Sequence, residues 1–107
     1  MQKTLTLQII AIGVKGAGGH EDITHVQWQA ASSSGITSSH AVISWLREHA
    51  EHEAWLADGE RRRVAVEVVT PIGAPAHLRS RAGGQWGDHL LALPRFQVSE
   101  PADEQNG

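Results

Sequence analysis

Four side chains suited to recognition or acid–base chemistry lie close together near the end of the sequence. Trp86, Asp88 and His89 fall within one short segment, and Arg79 precedes them on the other side of a Gly-Gly turn. An aspartate beside a histidine can orient the imidazole for proton transfer. Adjacent residues in an irregular segment usually point in different directions, however, and aspartate commonly accepts backbone N–H groups in turns. Turn formation is therefore the favoured role of Asp88, and acid–base catalysis the less favoured one.

Histidines suggest a second chemistry, a metal-dependent hydrolytic site. His49 and His52 stand three residues apart on or near a predicted helix, a spacing at which two imidazoles can share a cation. Further ligands are needed, and His20, His25, His77 or His89 could supply one only if the fold brings it near. A hydrolytic enzyme would use His20, Asp88 and His89. No spacing matches a metalloprotease or zinc-finger motif, and the chain has no cysteine. The sequence thus predicts no metal and no cofactor, with a small hydrolytic enzyme as the alternative.

Arginines suggest a third chemistry, the binding of a phosphate or of a single-stranded nucleic acid. Arg63, Arg79 and Arg81 would form one basic stripe if their strands are antiparallel neighbours. Trp86 would add a surface on which a base could stack. The chain is acidic overall, with 12 acidic and 9 basic residues and a net charge of −3. That total argues against a dedicated nucleic-acid binder.

The elements that position these residues are expected to form one small domain. The chain has 107 residues and no apolar run long enough to span a membrane. We expect a single compact domain over residues 1–98 and a disordered acidic tail over residues 99–107. The absence of cysteine fits a reducing compartment, so we expect a cytoplasmic protein.

Apolar alternation predicts the strands of this domain, at residues 4–14, 22–30, 63–70 and 76–81. In the first strand the apolar phase shifts between Ile9 and Ile10, which requires a bulge or burial on both faces. In the last strand, Leu78 should face the core and Arg79 the opposite side. Residues 53–57 either extend a helix or form a fifth strand, and the Asp-Gly pair that follows favours the strand.

One amphipathic helix is predicted over residues 39–51, capped by Ser38 or Ser39. Its apolar stripe consists of Val42, Trp45, Leu46, His49 and Ala50. The stripe is expected to meet the sheet at Val26, Trp28, Val66 and Leu78. The predicted fold class is therefore α+β, an antiparallel sheet of four to five short strands with one amphipathic helix packed on one face.

Several pieces of the sequence resemble a known bacterial family. They are Leu78-Arg79-Ser80, Gly83-Gly84 and residues 88–94 (DHLLALP), with Gly19-His20, residues 23–26 and residues 42–46 upstream. Together they resemble the domain of unknown function 3892, whose members carry Leu-Arg-Thr followed by Asp-Asn-Leu-Leu-x-Leu-Pro. Ser80 stands where Thr is usual, and His89 where Asn is usual. The resemblance implies a compact α+β domain and brings no activity with it.

These patterns favour a non-catalytic binding or protein-interaction module over an enzyme. Its surface should lie on the strand and loop of residues 76–89. The expected binding residues are Arg79, Arg81, Trp86, Asp88 and His89. We expect a protein partner and no membrane association. The seven histidines also predict that stability or association changes between pH 7 and pH 5.

Overall fold

The computed structural model describes residues 6–16 and 18–96, and it arranges them around a central strand, β1 (Thr6–Val14). The other strands are β2 (Ile23–Gln29), β3 (Ser34–Ser38), β4 (Glu53–Ala57), β5 (Arg63–Val69), β6 (His77–Ala82), β7 (Gln85–Gly87) and β8 (Arg95–Phe96). The helical elements are α1 (Ser39–Glu48) and two short 3-10 helices, His20–Asp22 and His89–Ala92. The predicted acidic tail, residues 99–107, lies outside the described residues.

All eight strands belong to one mixed sheet. Its order is β3-β2-β1-β4-β5-β6-β7, and β8 also pairs with β1. Strand β1 is antiparallel to β2 but parallel to both β4 and β8. β4 pairs with residues 6–8 of β1 and β8 with residues 12 and 13, so both lie along the edge of β1 opposite β2. The α+β class holds, but the predicted antiparallel sheet of four to five strands is wrong, because the sheet is larger and mixed.

The parallel pairing arises from the passage between β2 and β4. β2 and β3 form an antiparallel pair, and α1 follows β3 directly. The helix carries the chain to the other edge of β1, where β4 enters parallel to it. The sequence analysis predicted no strand between residues 30 and 39, where β3 lies. It also missed β7 and β8, since three and two residues are too few to show an alternating pattern.

A bulge in β1 lets both halves of the strand contribute to the core, as the phase shift predicted. Ile9 pairs with Trp28 and Ala11 with Gln27, which leaves Ile10 as the extra residue. Ile9 is 1% exposed and Ile12 is 0% exposed. Because the bulge resets the alternation, an odd-numbered and an even-numbered position bury their side chains in the same core.

The core lies where α1 packs against the sheet. Its buried members are Ile9, Ile12, Ile23, Val26, Val42, Ile43, Ala54, Leu56, Val64, Val66, Leu78 and Leu90. The prediction that Val26, Val66 and Leu78 belong to the core is confirmed, and Trp28 packs half-buried against it. Burying each large aliphatic side chain contributes about 1.5–3 kcal/mol to the free energy of unfolding, and this contribution is the main one that stabilises the fold.

The helix begins where predicted, since the Ser38 hydroxyl accepts the Ala41 N–H at 3.1 Å. It ends at Glu48, three residues before the predicted end, so His49 and Ala50 are exposed and not part of an apolar stripe. Ile43 takes the buried position beside Val42. Trp45, predicted to meet the sheet, is half-buried and does not pack against the core; its ring instead stacks on His52, with centroids 4.3 Å apart. No helix in the described part of the chain is long and apolar enough to cross a membrane.

The β4–β5 connection confirms the predicted strand at residues 53–57 and its turn. Asp58 organises the turn, because its carboxylate accepts the backbone N–H groups of Glu60 at 2.8 Å and Arg62 at 2.9 Å. The hydrogen bond from Arg62 is the main reason that the pKa of Asp58 lies below its ordinary value. The left-handed backbone position is occupied by Arg61, with φ of 65°, and not by Gly59.

Arg61→Gly is therefore expected to raise the free energy of unfolding by about 0.5–1 kcal/mol, because glycine adopts a positive φ without the strain that a Cβ brings. Urea denaturation followed by tryptophan fluorescence would measure the change. Glu60→Gly is the matched control in the same turn and should lower stability, since Glu60 does not have a positive φ. Equal effects of the two substitutions would contradict the assignment of strain to Arg61.

Candidate binding surface on strands β4 to β7

Strand β6 directs the predicted basic residues away from the core. Leu78 and Ser80 are 1% and 0% exposed, so the alternating His77, Arg79 and Arg81 occupy the opposite face. Arg81 is exposed, whereas His77 and Arg79 are half-buried. The prediction that Leu78 faces the core and Arg79 the opposite side is confirmed.

A tight hairpin brings Trp86 alongside β6. Gly83 and Gly84 connect Ala82 to its partner Gln85, with φ of 60° and 81°. A two-residue type I′ turn needs a positive φ at both central positions, and two glycines supply it without strain. The next pair in the ladder is Arg81 with Trp86, so the guanidinium and the indole lie side by side on one face.

This face carries an aromatic row that crosses four adjacent strands. Cross-strand partners place Trp55 opposite Ala65, Ala65 opposite Arg81, and Arg81 opposite Trp86. At one end the Arg63 guanidinium lies 4.0 Å from the ring centroid of Trp55, and at the other end that of Arg81 lies 5.1 Å from Trp86. With strands about 4.8 Å apart, the two tryptophan backbones stand about 14 Å apart. The row is thus two indole–guanidinium pairs separated by the small side chain of Ala65.

Charges of both signs surround the aromatic row. Glu67 is the ladder partner of Arg79, and its carboxylate lies 3.6 Å from the Arg81 guanidinium. The side chains of Arg81 and Glu67 are 43% and 48% exposed. An ion pair so exposed to water stabilises the fold by only about 0–1 kcal/mol. A partner with its own charges could therefore replace it at little cost.

A second cluster forms where Arg79 meets the segment after β7. Its Nε donates to the Gly87 carbonyl at 3.1 Å, and its terminal nitrogen donates to Asp88 Oδ1 at 3.1 Å. His20, from the 3-10 helix before β2, brings Nε2 to 3.8 Å from the same carboxylate oxygen, which is too far for a hydrogen bond. The His20 side chain is 11% exposed, and Nε2 has no hydrogen-bond partner in the described part of the chain. Asp88 is 73% exposed and so forms the solvent side of this cluster.

The surroundings of His20 favour its neutral form. Burial lowers the pKa of His20 below its ordinary value of 6.5, and the Arg79 guanidinium lowers it further. Asp88 acts in the opposite direction, by raising the pKa, but is the smaller influence. His77 also lowers the pKa, and Glu21 raises it slightly. The folded protein therefore resists protonation of His20, whereas the unfolded chain does not.

Ser80 and His89 are joined on the buried side of β6. The Ser80 hydroxyl accepts the backbone N–H of His89 at 3.1 Å and lies 3.3 Å from His89 Nδ1, to which it can donate its own hydrogen. Both bonds tie the 3-10 helix His89–Ala92 to β6, and Leu90 then enters the core with 0% exposure. His89, predicted as a binding residue, is thus directed toward Ser80, while Asp88 is directed toward Arg79.

The residues considered for a hydrolytic or metal site do not assemble into one. His49 and His52 are in edge-to-face contact, with ring centroids 5.1 Å apart, in the connection between α1 and β4, whereas Asp88 follows β7. Within residues 6–16 and 18–96, no three histidine, aspartate or glutamate side chains are placed to hold a metal ion. Ser80 has no solvent access, so it cannot act as a nucleophile.

Comparison with known proteins identifies one family. Its model, described as "Protein of unknown function (DUF3892)", matches residues 8–94. The chain belongs to the DUF3892 family. The resemblance inferred from Leu78-Arg79-Ser80 and residues 88–94 is thereby confirmed. No significant match was found among curated proteins or among solved structures.

In this DUF3892 domain, the residues that carry the family resemblance join β6 to the closing segment of the chain. Leu78 and Leu90 meet in the core, while Arg79 and Ser80 bind the segment that contains Asp88 and His89. The Ser80 hydroxyl accepts the His89 N–H, a bond that the hydroxyl of a Thr at this position would also accept. The sequence analysis missed this role.

The sequence analysis also missed the far end of the aromatic row. Trp55 and Ala65 were not among the predicted binding residues, although both alternate with buried residues in their strands, Ala54 and Leu56 in β4, and Val64 and Val66 in β5. That alternation was the available signal for their facing. Which residue stands opposite which, however, depends on strand register.

Lowering the pH from 7 to 5 is expected to destabilise the domain in part through His20. Because the folded-state pKa is lowered, the unfolded chain binds the proton more readily near pH 6.5, and stability is lost as the pH falls below that value. His20→Gln should therefore show a shallower loss of melting temperature over this interval. His40→Gln, at an exposed helix position, is the control and should keep the wild-type slope. Identical slopes for all three proteins would rule out the contribution of His20.

Ser80→Ala is expected to destabilise the domain by about 1–3 kcal/mol, because it leaves the buried N–H of His89 without an acceptor. Ser80→Thr keeps the hydroxyl and should stay closer to wild type. Chemical denaturation measures both, and hydrogen exchange at the His89 amide reports the local loss. An alanine variant as stable as the threonine variant would show that the hydroxyl does not hold the segment.

Proposed function

We propose that this DUF3892 domain is a non-catalytic binding module that recognises a protein segment through residues 76–89 and the adjoining strands. The observation that supports the proposal is the aromatic row, with two indole–guanidinium pairs on one outward face of four adjacent strands. Tryptophan and arginine are the side chains most enriched among residues that dominate protein-interface energetics. Trp86 is 41% exposed, which is unusual for a residue of its size.

The engagement of the neighbouring polar groups supports binding rather than catalysis. Asp88 is bonded to Arg79, and His89 to Ser80, so neither forms an acid–base pair with the other. His20 is favoured in its neutral form and is largely buried. These groups keep the loop in place around Trp86 instead of meeting at a common reacting atom.

The mixture of charges favours a protein partner over a nucleic acid. Glu67 and Asp88 stand beside Arg79 and Arg81, and carboxylates there would repel a phosphate backbone. A protein segment with an acidic residue next to an apolar one fits better. Its carboxylate would replace Glu67 on Arg81, while its apolar side chain packs on the exposed face of Trp86. We place this binding in the cytoplasm, which the lack of cysteine favours.

Peptides selected from a displayed random library on the immobilised domain would test the proposal directly. We expect enrichment of sequences that pair an acidic with an apolar residue. Their affinity, measured by calorimetry, should fall more than about tenfold in Trp86→Ala, the loss typical of a dominant interface residue. Arg81→Gln should weaken the same peptides about fivefold and reduce their dependence on salt.

Ile36→Ala gives the matched control for loss of an exposed apolar side chain. Ile36 is 57% exposed on β3, at the opposite end of the sheet, and its loss should leave peptide affinity unchanged. Equal weakening by Ile36→Ala and Trp86→Ala would contradict the assigned surface. Binding of an oligo-deoxythymidine strand that is lost in Arg81→Gln, without peptide enrichment, would overturn the protein partner in favour of a nucleic acid.

A further inference from the structure

A groove lies between the end of helix α1 and strands β4 and β5. Its volume is about 610 Å³, within the range of about 300–1,000 Å³ typical of small-molecule sites. It begins at Trp55, Arg63 and Ala65 of the aromatic row and extends toward Leu46 and Arg47 of the helix. Arg81 and Trp86 do not line it. The groove thus shares one end of the aromatic row, and variants at Arg81 and Trp86 test the protein-binding surface without altering the groove.

The groove combines an apolar wall with aromatic rings. Leu46 and Val68 pack half-buried against the core, and Ala54 and Val66 belong to it. His52 contributes a ring already fixed by its stack on Trp45. Its Nδ1 donates to the Trp45 carbonyl, which removes one free carbonyl from the negative end of the helix. An apolar ligand body would gain contact area here without displacing a polar group.

Two guanidinium groups give the groove its charge preference. Arg47 donates to the Thr70 hydroxyl at 2.9 Å, which positions its guanidinium and leaves other N–H groups free. The Arg63 guanidinium lies over the Trp55 ring, 4.0 Å from its centroid, and keeps N–H donors available. Among the described residues, neither has a carboxylate within ion-pair distance.

The carboxylates of the groove do not reverse that preference. Glu67 is already paired with Arg81 at 3.6 Å. Glu53, exposed at the start of β4, is the remaining lining carboxylate and has no basic partner within ion-pair distance in the described residues. Two available guanidinium groups oppose one available carboxylate. The groove thus favours a negatively charged ligand, and Glu53 should weaken its binding.

We propose that this groove is a binding site for a small organic carboxylate with an apolar body. The carboxylate would accept hydrogen bonds from Arg47, and the apolar body would lie along Leu46 and Val68, which share the core face of the sheet with Arg47. Arg63, on the outward face, would attract the ligand through its charge. Charge-assisted pairing of a carboxylate with a guanidinium is the strongest neutral-pH recognition that these side chains can supply.

Calorimetry with three probes of one shape would test the charge preference. 1-Naphthoate should bind the full chain, while 1-naphthamide should bind at least tenfold more weakly. 1-Naphthylmethylammonium, which carries the opposite charge, should bind more weakly still. Equal affinity for the carboxylate and the ammonium compound would overturn the proposal, since binding would then be governed by apolar contact alone.

Variants of the lining residues locate the site. Arg47→Gln should weaken 1-naphthoate about tenfold, as expected for loss of a charge-assisted hydrogen bond. Arg63→Gln should weaken it about two- to threefold, because it removes an attracting charge. Glu53→Gln should strengthen it about two- to threefold, because it removes a repelling charge. Arg61→Gln makes the same charge change in the neighbouring turn and should have no effect. Weakening by Arg61→Gln equal to that by Arg47→Gln would show that net charge, not the groove, determines affinity.

Indole N–H resonances separate this site from the protein-binding surface. In a proton–nitrogen correlation spectrum, 1-naphthoate should shift the Trp55 signal, assigned by its disappearance in Trp55→Phe, and leave the Trp86 signal unchanged. Trp86→Ala should retain wild-type affinity for 1-naphthoate. If 1-naphthoate shifts only the Trp86 signal, the proposal that it binds in the groove is wrong. If Trp86→Ala loses peptide binding but keeps 1-naphthoate binding, the result concerns only the proposed protein partner.

Discussion

Two neighbouring residues of β6 hold the end of the domain in place. Arg79 points outward and binds Gly87 and Asp88, while Ser80 points inward and binds His89. Since successive side chains of a strand face opposite sides, one short segment is fastened on both faces of the sheet at once. Leu90 enters the core directly after this double attachment, and Trp86 directly before it is held on the outer face by the hairpin, so the candidate surface and the fold share β6 as a support.

Local patterns were sufficient to predict most elements but not how they pair. The phase shift at Ile9 and Ile10, the cap at Ser38 and the turn after β4 all act within a few residues, and each was predicted from those residues alone. The parallel pairing of β1 with β4 follows from the path of α1 across the sheet, which no local pattern records. Trp45 matched the helical stripe, yet the early end of α1 let His52 fold back onto its ring.

The residues of the candidate site likewise include some that local sequence predicts and others that only strand pairing brings together. Arg81 and Trp86 were predictable because one two-residue turn separates their strands. Trp55 joins them only through the ladder partners Ala65 and Arg81, and a shift of one residue in either ladder would have moved it to the core side. His20 reaches Asp88 from a distant part of the chain, so its altered environment was not visible in the order of residues.

The position of β8 has a consequence for synthesis of the chain. Ile12 completes its backbone hydrogen bonding with the carbonyl of Pro94, at 2.9 Å, and pairs with Arg95. On the ribosome these partners are made roughly 80 residues later, which at about 5–20 residues per second means a delay of some 4–16 s. Until then the half of β1 around Ile12 has one unfilled edge, and a nascent strand in that state is open to wrong pairing or to capture by a chaperone.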